Sequence, residues 1–176
     1  MWRMTALLWV LLAPLAWGQE KEDEYEVKAA LLQKFAIYCT WPDAAFAKKE
    51  SPIEICVFGK DPFGKKIDNT LKDKTAQDRP IEIKRADKID AIGKPHILFV
   101  PDTEKEQLGK ILEKLKGVPA IVISESDGLA GKGSVFNFYV DPKDKRLKAE
   151  VNPKAAEKAG VQISSKLLKA LKVVEE

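Results

Sequence analysis

Short apolar runs recur between charged segments of helical periodicity, and they constrain this chain more than any other feature: Ile53 to Phe58, His96 to Val100 and Ala120 to Ile123. Each has strand length, β-branched residues are frequent in them, and runs this apolar belong to strands covered on both faces. Strands separated by helical crossovers pair in parallel. The sequence therefore predicts an α/β fold, a single three-layer domain whose mostly parallel sheet carries helices on both faces.

The elements follow in order. Apolar groups at Tyr25, Ala29, Leu32, Phe35, Ala36 and Cys39 are spaced by three and four, which predicts a helix over Glu22 to Thr40 ended by Trp41-Pro42. Asp61 and Pro62 open a short helix to about Leu71. Pro80 to Arg85 is a strand, and Asp102 to Lys116 is an amphipathic helix stopped by Gly117. Val135 to Tyr139 and Leu147 to Val151, joined by Asp141 to Lys145, read as an antiparallel hairpin at one sheet edge. Asn152-Pro153 starts a helix that ends at Gly160, and Ile163 to Val174 reads as a last amphipathic helix.

The first eighteen residues read as a secretory signal: Arg3, then an apolar run from Ala6 to Leu15, then Ala16-Trp17-Gly18 as a cleavage pattern. Taking 18 residues from 176 leaves 158 for the domain at 19–176, the size of one core. The formal charge of +3 falls to +2 without Arg3, and lysines and acids interleave along the chain, which argues against nucleic acid. Export admits a disulfide between the two cysteines, Cys39 and Cys56; the alternative is a pair of buried thiols.

Candidate chemistry is sparse. The single histidine, His96, precedes an apolar strand and reads as structural, and one His with two Cys offers no zinc site. Gly128 to Ser134 lacks the spacing of a phosphate loop. No cofactor is expected. The loops after Gly59, Pro101 and Ile123 fall on the carboxyl edge of a parallel sheet, where such folds bind ligands, so Asp61, Phe63, Ser124 and Asp127 are candidate ligand-binding residues.

Motifs spread along the domain carry a resemblance. Tyr25 to Leu32 with Lys34-Phe35 and Trp41-Pro42, then Ile55 to Gly59 with Asp61 to Gly64, Arg79 to Ile81, His96 to Val100, Val135 to Phe138, Glu150 to Asn152 and Gly160 to Leu168 stand in the order found in YfiR-like periplasmic proteins, which the chain resembles. The resemblance implies regulation rather than catalysis. Such proteins bind the periplasmic sensor domain of an inner-membrane diguanylate cyclase and repress it, until an outer-membrane lipoprotein or a redox change relieves them and cyclic-di-GMP and biofilm rise. It also implies a homodimer, and for some relatives a histidine kinase as the membrane partner. Cys56 matches the family's strand cysteine, whereas Cys39 stands where aliphatic residues are common. Apolar groups near the chain ends then make Trp41, Pro42, Ile163, Lys166, Leu167, Lys169 and Leu171 the expected partner-binding residues.

Overall fold

The computed structural model describes residues 16–174, with side chains from Glu24 onward; the leader reading of 1–18 lies outside the described residues apart from the backbone of its last three positions. The first helix is α1, Ala16–Tyr38, which buries Ala29, Leu32, Phe35 and Ala36. It stops two residues earlier than predicted, because Cys39–Thr40 is a strand, β1, paired antiparallel with β9, Gln162–Ile163. The Gln77 amide finishes the helix end, donating to the carbonyls of Ala36 at 2.7 Å and Cys39 at 2.5 Å. Those are carbonyls that a helix terminus leaves without partners.

The sheet is built around β2, Ile53–Phe58. Parallel to it lie β4, Arg79–Ala86, on one side and β5, Ile97–Val100, on the other, and β6, Ile121–Ser124, and β7, Phe136–Val140, continue beyond β5. The strand order therefore reverses between β2 and β5. β8, Leu147–Val151, turns back antiparallel to β7, as the hairpin pattern predicts. Alternate side chains separate into two cores. Ile55, Val57, Ile97, Phe99, Ile121 and Ile123 face α1 and α2, Lys65–Leu71, while Cys56, Phe58, Leu98, Val100 and Val122 face α3, Leu108–Lys114. Three layers result, each large buried side chain contributing about 1.5–3 kcal/mol.

Four elements depart from the sequence reading. α2 starts at Lys65 rather than beside Asp61, because Gly64 at φ +55 breaks the run and Asp61 instead accepts from the Phe63 and Gly64 N–H groups. The predicted Asp102 helix begins as 3₁₀ turns over Asp102–Gln107 before α3 takes over. A short β3, Thr75–Ala76, pairs with β4 through a turn in which Gln77 and Asp78 both have positive φ. After α4, Pro153–Lys158, the last helix is only α5, Ser165–Ala170, set between β9 and β10, Lys172–Val173. Ser164 caps it by accepting from the Leu167 N–H, and Leu171 is already extended at φ −115.

A polar chain, buried from Ser124 to Glu150 and ending on the exposed Lys172, links the C-terminus to the sheet. Ser124 donates to Asn137 at 2.7 Å, Asn137 donates to Glu150 at 3.1 Å, and Lys172 reaches the other Glu150 oxygen at 3.1 Å. Each member is satisfied only when β6, β7, β8 and β10 keep this register, so the last strand is drawn into the sheet beside β8.

Cys39 and Cys56 are free thiols, and this corrects the expectation of a bridge between them: Cys39 packs in the α1 core and Cys56 in the α3 core, with the sheet between. Burial pushes the Cys39 thiol up to about 12 and the Cys56 thiol up to about 11, away from the reactive thiolate. The melting temperature should be the same with and without reductant, and iodoacetamide should label neither thiol until denaturant is added. Labelling of the folded protein would show that one core opens.

Candidate functional site

The carboxyl edge of the sheet gathers the loops after β2, β5 and β6 around one buried cation. Lys28 occupies the apolar stripe of α1, four residues before Leu32, and is 3% exposed. Its ammonium meets Glu24 at 2.5 Å and Glu125 at 2.6 Å and lies 4.4 Å from the Tyr25 ring centre. Glu125 is filled on both oxygens. One takes Lys28, and the other accepts from the Tyr25 hydroxyl and from the Asp102 N–H, each at 3.0 Å. Burial, then the Glu125 charge, pushes the Tyr25 phenol far above its ordinary range. Ser126 donates to Asp102 at 2.6 Å, which with Lys105 holds that carboxyl below the usual carboxylate range.

Beside this clasp lies an open cleft of about 750 Å³ lined by Asp102, Glu125, Ser126, Asp127, Lys132 and Tyr139 among others. Gly59 shapes the neighbouring turn at φ +68, where a Cβ would stand 2.4 Å from Glu104 Cγ. Of the four candidate ligand residues, Asp127 alone lines the cleft. Ser124 is fully buried and donates to Asn137, Phe63 is core, and Asp61 is spent on the turn before α2 and on Arg85 at 2.7 Å. Ser124 is thus framework, while Asp61 and Phe63 line a separate cleft of about 640 Å³ with Tyr25 and Lys65. Both Glu125 oxygens and the Lys28 ammonium are held, so the clasp braces the loops after β5 and β6 against α1.

His96 sits at the opposite end of β5 from this edge, so no Ser124–His96 pair exists. Its Nδ1 accepts from the Glu54 N–H at 3.0 Å, while its own N–H donates to the Glu54 carbonyl at 3.0 Å. The ring stacks on Phe46 with centroids 4.5 Å apart and meets Trp41 edge-on at 5.8 Å, and the Arg79 guanidinium covers the far face of Phe46 at 3.6 Å. The reading of His96 as a structural residue matches this geometry.

The expected partner residues divide. Trp41 at 4% exposure and Leu167 at 8% are core, which corrects their placement on a docking surface. Ile163 and Leu171 are half-buried, and Pro42, Lys166 and Lys169 are exposed. The β1–β9 ribbon brings these two distant stretches together, with Pro42 beyond one end and Lys166 at the other, 5.5 Å from the Tyr38 ring. Lys28 and Glu125 escaped the sequence reading as a pair. The signal that betrays them is a lysine on a helical apolar stripe, a position that demands a buried counter-charge.

The sequence profile of the family described as DUF4154, YfiR/HmsC-like, matches residues 25–170. The chain belongs to the YfiR/HmsC-like family. The match covers most of the described residues, from Tyr25 in α1 to the end of α5. No curated protein matches the sequence. Among solved structures, a conserved domain protein from Vibrio cholerae O1 biovar El Tor is similar at TM-score 0.55 and 10% identity, over 86% of this chain and 60% of that one. An ABC domain in complex with L-Trp from Streptococcus pneumoniae is similar at TM-score 0.53 and 12% identity, over 85% of this chain and 60% of its own. These likenesses show a shared α/β fold, and this YfiR/HmsC-like chain spans about three-fifths of either neighbour. Among the described residues no helix is long and apolar enough to cross a membrane.

Two outcomes test the geometry. Lys28→Met strands the Glu125 carboxylate and should destabilise the protein by about 3–5 kcal/mol in denaturant unfolding, whereas Lys28→Met with Glu125→Gln should recover a large part of that loss. His96 is the second. Burial, the largest cause, lowers its pKa below 6.5, so the unfolded chain binds the proton more readily. Its contribution is complete above about 6.5 and is lost as pH falls from there toward the folded value. NMR titration of this one imidazole should give a midpoint below that of a denatured sample.

Proposed function

We propose that this chain binds the periplasmic sensor domain of an inner-membrane diguanylate cyclase and holds its output low, restraining cyclic-di-GMP synthesis and biofilm formation. The observation that carries the reading is the β1–β9 ribbon, which joins the end of α1 to the start of α5. It leaves Pro42 exposed beyond one end and Lys166 and Lys169 exposed beyond the other, with Ile163 and Leu171 half-buried. Beside it runs a groove of about 520 Å³ lined by Pro153, Ala156, Val161, Ile163 and Leu168. Glu157 is the charged residue of that lining, and Lys166 and Lys169 stand outside it, so the apolar groove and the exposed lysines offer two separate points of contact to the sensor domain. In this reading the chain is cut after Gly18, works as a periplasmic homodimer, and is released by an outer-membrane lipoprotein.

A second reading rests on the cleft at the carboxyl edge. Its volume of about 750 Å³ suits a small molecule, and the neighbour from Streptococcus pneumoniae is a domain in complex with L-Trp. Here the chain is a small-ligand-binding domain that feeds a histidine kinase or another membrane sensor.

Surface plasmon resonance against the purified periplasmic sensor domains of the host's diguanylate cyclases separates these readings. We expect saturable binding to one of them, weakened at least tenfold by Lys169→Glu with no change in melting temperature. Failure to bind any of those domains overturns the repressor reading.

A further inference from the structure

At the amino-terminal edge of the sheet, opposite the Lys28 clasp, lies a second cleft of about 510 Å³. The turn at Pro42 to Ala45 forms one wall, and Pro95, Val118, Pro119 and Ala159 form much of the rest. Lys94 and Lys158 are the charged side chains among its lining residues, and no acid is among them. His96 lies at its base. The two edges differ in one respect that matters for binding. At the Lys28 clasp the polar groups satisfy one another, whereas here two buried N–H donors do not.

The first is His96. Its Nδ1 accepts a backbone hydrogen bond from Glu54 and so carries no proton, which puts the proton of the neutral ring on Nε2. That Nε2–H is buried without a hydrogen bond; the Ala45 carbonyl lies near enough to bias its titration but completes no bond with it. The second is the indole N–H of Trp41, also buried without an acceptor, on a ring that packs 5.8 Å from the His96 ring but lies outside the lining of the cleft. A buried donor left unmade costs about 1–3 kcal/mol, so a group that supplied acceptor oxygens here would regain what the closed state forgoes. Covering His96 is the 3₁₀ turn Asp43–Ala45, none of whose residues is buried, so lifting that turn gives up little apolar contact.

The geometry points to a binding site at this amino-terminal cleft for a small carboxylate with an apolar body, one oxygen accepting from His96 Nε2–H as the Asp43–Ala45 turn lifts. The apolar walls take the body and Lys94 favours the negative charge. A carboxylate supplies both the acceptor for His96 and the charge for Lys94, which an alcohol does not. This site is separate from the sensor-binding surface proposed above and stands or falls apart from it.

Because the chain holds one histidine, long-range nitrogen NMR of the untagged protein reads this imidazole alone. Benzoate is the probe. We expect a saturable shift of the Nε2 resonance, at least tenfold weaker affinity for the neutral benzamide, and loss of the shift in Ala44→Trp, which fills the mouth from an exposed position while leaving the melting temperature unchanged. No saturable shift up to about 10 mM, where even a millimolar site would be filled, overturns the proposal. So does benzamide binding as tightly as benzoate, or a benzoate shift that survives in Ala44→Trp.

Discussion

A buried ammonium must be neutralised where it lies, and the carboxyl edge of this fold is organised by that requirement. Desolvating Lys28 costs several kcal/mol unless a carboxylate follows it inward. Glu125 does so from the loop after β6, and its second oxygen in turn needs donors, which the Tyr25 hydroxyl and the Asp102 N–H supply. One charge on α1 thereby fixes the loops after β5 and β6 against the helix. The place where an open α/β sheet ordinarily performs its chemistry is here tied together.

The parallel sheet was legible because burial on both faces leaves a direct mark: β5 and β6 are apolar at nearly every position, and no other element of a small domain has that signature. The hairpin of β7 and β8 was legible for a related reason, a Pro- and Asp-rich turn between two β-rich runs. The C-terminus was not. Ile163, Leu167 and Leu171 keep helical spacing, yet α5 ends at Ala170 and the chain runs on as β10 beside β8, a strand more than twenty residues earlier. Local periodicity cannot report a partner that arrives from elsewhere in the chain. The β3–β4 turn was missed because Gln77-Asp78 is a poor match for left-handed backbone, tolerated here since the Gln77 amide caps α1.

Sites were less legible than strands, and the reason lies in burial. Trp41 and Leu167 were read as surface groups because they stand near chain ends, whereas Trp41 closes against His96 and Leu167 seats in the α1 core. Ser124 sits where ligands are usually met, yet it points into the sheet toward Asn137. In each case the position along the fold was read correctly and the direction of the side chain was not. Lys166 and Lys169 needed no such information, since their spacing already placed them on the wet side of a helix.

The β1–β9 ribbon also sets the order in which this protein can finish folding. Tyr38 receives the Ser164 N–H at 2.9 Å, and Cys39 lies opposite Ile163, so the end of the first helix is completed by residues close to the last. A chain that emerges N-terminus first cannot close this seam until nearly all of it is free. The early helix must therefore wait with its apolar stripe and its buried-to-be Lys28 exposed, a long-range closure of the kind that slows folding. The whole domain becomes competent together, and a version cut short before residue 164 would arrive without the seam that seals its beginning.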